Sequence, residues 1–144
     1  VYRSRYIPIG KYENHPYPGI EMLLARLKQQ GHRLYIATSK PEPMAIKVLD
    51  HFDLANYFTA ICGATLSGDR VTKEDVIAYL LKESGEKDNM VMVGDTKFDI
   101  IGAKHHGIPT IGVSWGYGNV DEMRTSGAAA IANNTEELLF LLES

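Results

Sequence analysis

The sequence predicts one α/β domain, a doubly wound layer around a mostly parallel sheet. Three observations predict it. Helix-patterned and strand-patterned segments alternate about five times along 144 residues. The segments Arg33–Ala37, Met90–Val93 and Pro109–Val113 are short, mainly apolar runs, as expected of strands buried on both faces. Each run ends in hydroxyl, acidic or glycine residues, at the carboxyl ends of the strands, where open α/β folds bind ligands.

In chain order, residues 1–17 show no clean period and carry Pro8, Gly10, Pro16 and Tyr17, so they read as a short helical remnant and an extended linker. Pro18-Gly19 opens a helix on Ile20, Leu23, Leu24 and Leu27, with Gly31 as its stop. Arg33–Ala37 is the first strand and runs into Thr38-Ser39-Lys40-Pro41. Pro41 opens a helix to about Phe52 on Met44, Ile46, Val48 and Leu49. Thr38 and Ser39 thus lie between a strand end and a helix start. There they read either as a plain helix cap or as a phosphate site built from hydroxyls and free N–H groups.

Tyr57–Cys62 reads as a short strand near an edge, followed by a loop from Gly63 to Arg70. Thr72 and Asp75 resemble a capping box, with Asp in place of Glu, ahead of a helix on Val76, Ile77, Leu80 and Leu81. Lys73 falls in that helix's first turn, where the helix dipole disfavours a cation. A residue set against local preference is a pointer to function.

After a turn at Gly85–Asn89, the strand Met90–Val93 ends in Gly94-Asp95, with Asp99 four residues on. If a helix starts near Thr96, both carboxylates can face one crevice. Two carboxylates beside a glycine turn suit a hard divalent cation such as Mg²⁺; equally, they can be a cap and a first-turn acid. The following helix uses Phe98, Ile101 and Ala103 and stops near Gly107. Pro109–Val113 is the next strand, Asp121–Thr125 a short helix and Ala128–Ala132 a last strand. Asn134 or Thr135 caps a final helix with Leu138, Leu141 and Leu142 inward. Gly116-x-Gly118 lacks the third glycine and the long helix of a dinucleotide site. His105 and His106 are adjacent and do not share a helix face, which makes them a poor metal pair.

Composition excludes several classes. Net charge is −3 with scattered basic residues, so there is no bulk electrostatic case for nucleic acid. Cys62 is the single cysteine, which excludes a disulfide framework or a cysteine zinc site. No apolar run approaches membrane-spanning length and no signal peptide is visible. A reducing, cytoplasmic setting is expected. The start at Val1, within a polar and aromatic stretch, reads as the middle of a longer protein.

Together the motifs resemble the haloacid dehalogenase superfamily and, more narrowly, its phosphoglycolate phosphatase-like branch. The residues that carry the resemblance are Tyr17-Pro18-Gly19-Ile20, Ala37–Pro41, the Lys73 region, Val93–Asp99, Gly102-Ala103, Gly107-Ile108 and Trp115–Gly118. The resemblance implies a Rossmann-like core and Mg²⁺-dependent phosphomonoester hydrolysis through an aspartyl-phosphate. It implies that Thr38 hydrogen-bonds the phosphoryl group, that Ser39 adds a backbone N–H and that Lys73 offsets phosphate charge. It implies that Asp95 binds Mg²⁺ and that Asp99 supports the metal or the lysine.

One departure matters: no Asp-x-Asp sequence, the family's nucleophile motif, occurs in this chain. The expectation is therefore a core incomplete at its amino-terminal strand. Residues 1–16 would be the tail of an absent cap domain and 17–144 the core. The gap would be closed by direct pairing of the neighbouring strands or by another chain, with self-association as one route. Partners would be small phosphorylated metabolites. The alternative is a catalytically inactive phosphate- or metal-binding or protein-interaction module. A flavodoxin-like or receiver-like domain is a weaker third reading, because a receiver's carboxylates come early in the chain and its lysine late.

Overall fold

A computed structural model describes residues 19–85, 90–115 and 118–143. The expected linker and cap tail, most of the turn before Met90, the side chain of Ile20, and Gly116-Tyr117 lie outside the described residues. The element order is α1 (Ile20–Gln29), β1 (Tyr35–Pro41), α2 (Glu42–His51), a 3₁₀ turn (Ala55–Tyr57), β2 (Ala60–Ala64) and α3 (Lys73–Ser84). Then come β3 (Met92–Gly94), α4 (Lys97–His105), β4 (Thr110–Val113), α5 (Val120–Ser126), β5 (Ala130–Ala132) and α6 (Thr135–Glu143).

All strand pairs among the described residues are parallel, as expected of strands joined by helical crossovers. They fall into two sheets, β1-β2 and β3-β4-β5. Side chains alternate across both. Ile36, Val93, Ile111 and Val113 pack with Leu23, Leu24 and Leu27 of α1, Leu49 of α2 and Leu138 and Leu142 of α6. Tyr35, Ala37, Cys62 and Met92 pack on the other side with Val76, Ile77 and Leu80 of α3 and Ala103 of α4. Both sheets therefore share both apolar layers, as in a doubly wound fold. Direct pairing of β1 with β3, one expected closure of the gap, does not occur among the described residues.

Some inward faces differ from the pattern read in sequence. On α2, Met44 and Ile46 are exposed while Ala45 and Leu49 are buried. On α4, Phe98 and Ile101 face solvent, and the buried face is Asp99, Ile100, Gly102 and Ala103. That face is partly polar, so an apolar stripe could not reveal it. Pro41 ends β1, and Pro43 takes the helix-opening role in α2. The expected strand starts later, at Ala60: Tyr57 closes the 3₁₀ turn, and Phe58 and Thr59 lead from it into β2. No described helix is long and apolar enough to cross a membrane.

Candidate active site

Three chain segments meet at the carboxyl end of the sheets. The first is the end of β3. Gly94 leads to Asp95, which is buried, and Thr96 precedes α4. Asp99, in the first turn of α4, turns its carboxylate back: Oδ2 accepts from the N–H of Asp95 (2.9 Å), the N–H of Thr96 (3.1 Å) and the Thr96 hydroxyl (3.3 Å). A side chain at Gly94 would collide with the Asp99 Cβ and carboxyl group. Glycine here is required by close approach.

The second segment is the start of α3. Thr72 and Asp75 form the capping box, with Thr72 Oγ1 accepting from the Asp75 N–H at 3.1 Å. Lys73 is the next residue, and its stem runs inward. Its Nζ lies 2.7 Å from Asp99 Oδ1 and donates to the Ala37 carbonyl at 3.2 Å. The pair is largely dry, with side-chain exposures of 13% for Lys73 and 3% for Asp99. Charges so placed are tolerable only when paired and hydrogen-bonded, and these are both.

The third segment is the end of β1. Register with β2 is regular to Ala37–Cys62 and resumes at Pro41–Ala64, so four steps on β1 oppose two on β2. Residues 38–40 bulge from the ladder, a device that re-aims groups beside functional sites. Thr38 is half-buried, and its Oγ1 accepts from the Lys40 N–H at 3.1 Å; Ser39 is exposed. Thr38 follows the residue whose carbonyl holds Lys73. Lys73 thus joins the end of β1, at the carbonyl just before Thr38 and Ser39, to Asp99 and the Asp95 turn at the end of β3.

Sequence reasoning missed the brace behind this bulge. Glu42 Oε1 accepts from the Gly63 N–H (3.1 Å) and from Arg70 Nη2 (3.3 Å), Arg70 Nε donates to the Gly63 carbonyl (2.8 Å), and its guanidinium lies 3.6 Å from the Tyr79 ring centroid. A Cβ on Gly63 would lie 2.6 Å from the Lys40 carbonyl oxygen. Neither Glu42 nor Arg70 sits in a motif, and no local pattern could have flagged them. Burial, then the nearby Glu42 carboxylate, pushes the Cys62 thiol up to about 11, an inert thiol as its apolar setting suggested. Gly118 also lies against this turn, since a side chain there would collide with the Asp95 carbonyl.

The donor set bears on a metal. Both Asp99 oxygens are engaged within the protein, which suits it to holding Lys73 and the β3–α4 turn. Asp95 is the other carboxylate of this turn, and it is buried. No group of three or more metal-ligating side chains occurs among the described residues. Mg²⁺ commonly binds through one or two carboxylates plus water and substrate phosphate, and Asp95 fits that mode.

The chain belongs to the haloacid dehalogenase-like hydrolase family, whose model matches residues 2–113. It is 39% identical over 144 residues to a 5'-nucleotidase of Pseudomonas aeruginosa, covering 99% of this chain and 65% of the relative. It is 44% identical over 122 residues to the tyrosine-protein kinase PtkA of Mycobacterium tuberculosis, covering 84% of this chain and 42% of the relative. Phosphoglycolate phosphatases are also among its relatives. The crystal structure of a predicted phosphatase from Clostridium acetobutylicum superposes with a TM-score of 0.86 at 44% identity, covering 89% of this chain and 60% of that one. The chain therefore spans less than two thirds of the length of these relatives.

Proposed function

We propose that this chain is the phosphate- and metal-binding part of a Mg²⁺-dependent phosphatase acting on small phosphomonoesters. The observation that carries the reading is the Lys73 ammonium, held between the Ala37 carbonyl and Asp99 beside the Thr38 bulge. Phosphoryl transfer depends mainly on positioning and charge neutralisation. Thr38 donates its hydroxyl to a phosphoryl oxygen and Ser39 adds its N–H. Lys73 neutralises charge on the group. Asp95 holds Mg²⁺, which when bound supplies further charge stabilisation at the phosphoryl oxygens. Asp99 orients Lys73 and fixes the Asp95 turn.

The attacking carboxylate that would form the aspartyl-phosphate is not an Asp-x-Asp of this sequence. It would come from a further segment, seated between β1 and β3. The relatives' names support phosphoglycolate or a nucleotide as substrate, and we place the reaction in the cytoplasm. The missing motif also favours a second reading, a module that binds phosphate or metal without turnover.

The test is phosphate release from p-nitrophenyl phosphate and phosphoglycolate, with and without Mg²⁺. This chain alone should release none. A protein of the relatives' length that contains it should release phosphate only with Mg²⁺, and Asp95→Asn should abolish that activity. Unchanged turnover in Asp95→Asn removes the metal assignment. Phosphate binding with no hydrolysis at either length favours the non-enzymatic reading.

A further inference from the structure

Lys73 reaches Asp99 because α4 leaves room for it at one position. Gly102 is buried in α4, three residues after Asp99, so the two share a helix face. A Cβ at Gly102 would stand 3.0 Å from Lys73 Cγ, 3.2 Å from Lys73 Cβ and 3.4 Å from the Glu74 backbone nitrogen. The backbone at Gly102 is ordinary helix, so no unusual dihedral requires glycine. Mid-helix glycine is less favourable than alanine. The contact with Lys73 is what a missing side chain serves.

We propose that Gly102 is a positioning residue for Lys73. It lets the lysine stem lie against α4, so that one ammonium meets both Asp99 Oδ1 and the Ala37 carbonyl. Asp99 fixes the charged end and Gly102 the stem, from the same helix face. A side chain at 102 lifts the stem by a few tenths of an ångström or more, and a short charge-assisted hydrogen bond is sensitive to that. Only the phosphate arm of the test below rests on the function proposed above.

The experiment compares Gly102→Ala, Gly102→Val and Ile101→Gly. Ile101 is exposed on α4 and serves as a control that weakens the helix away from Lys73. The readouts are solvent exchange of the Lys73 ammonium protons by ¹⁵N NMR and titration with inorganic phosphate. Exchange at Lys73 should be slow in the native chain, faster in Gly102→Ala and faster still in Gly102→Val. The alanine variant should show this even though alanine is the better helix former. Ile101→Gly should lower the melting temperature and leave Lys73 exchange unchanged. Phosphate affinity in Gly102→Ala should fall roughly three- to tenfold, the loss expected from misaligning a charge-assisted bond.

The proposal is overturned if native Lys73 exchanges as fast as Lys97, whose side chain is 41% exposed. It is equally overturned if Gly102→Ala leaves exchange unchanged, or if Ile101→Gly speeds it as much. Should Gly102→Val not fold, Gly102→Ala decides alone. If the native chain takes up no phosphate, the functional reading fails while ammonium exchange still decides the role of Gly102.

Discussion

The same four-residue pattern occurs twice in this chain with opposite outcomes. Thr72-Lys73-Glu74-Asp75 opens α3 and Thr96-Lys97-Phe98-Asp99 opens α4. In both, the aspartate turns back to the backbone N–H groups at the helix start. At α3 the aspartate is exposed, and hydrogen bonds from the Val71 and Thr72 N–H groups hold its carboxyl below the usual range. At α4 the aspartate is 2% exposed and also takes the Lys73 ammonium. The lysines divide the other way: Lys73 is drawn inward, while Lys97 stays near the surface, 3.5 Å from Glu122. A capping box alone is therefore only an end to a helix. It becomes part of a site when a buried strand and a glycine precede it, as β3 and Gly94 do, and when a second helix start delivers the opposite charge.

The largest expected difference lies in the two aspartates. Asp99→Ala strips the β3–α4 turn of its acceptor and leaves the Lys73 charge buried, at a cost of about 3–5 kcal/mol. Asp75→Ala removes only an exposed cap and should move the urea midpoint much less. Equal midpoints would erase the distinction. Gly94→Ala tests what sits ahead of the box. The added methyl must displace the Asp99 carboxyl, so a loss of about 1–3 kcal/mol is expected in denaturant unfolding.

The smallest effect is one of pH. The Asp75 carboxyl is depressed in the folded chain, so its contribution is present above the ordinary value of 3.8 and is lost as pH falls through the folded value. The gap in melting temperature between native chain and Asp75→Asn should be small, visible at neutral pH and closed in acid. A gap that widens in acid contradicts the sign.

Much of this was legible in the sequence, for physical reasons. Apolar runs and helical stripes such as Leu23, Leu24 and Leu27 report burial directly, and the Thr72–Asp75 box carries its own local signal. The placement of Lys73 against the dipole marked it out. What the sequence could not show was long-range. The split between β1 and β3, the reach of Lys73 to Ala37 and the Glu42–Arg70–Gly63 brace join residues far apart in the chain and leave no period. The outward turn of Phe98 and Ile101 follows from Asp99 and Gly102 claiming the inner face, and an apolar count assigns neither to a core.

The central claim is that the charge assembled at Lys73, not the one at Lys97, receives a phosphoryl group. It is tested by titrating the native chain, Lys73→Ala and Lys97→Ala with inorganic phosphate while following backbone amides by NMR. The account predicts shifts at Thr38, Ser39 and Thr96 in the native chain and in Lys97→Ala, and their loss in Lys73→Ala. Shifts that persist in Lys73→Ala, or that vanish in Lys97→Ala, would contradict it.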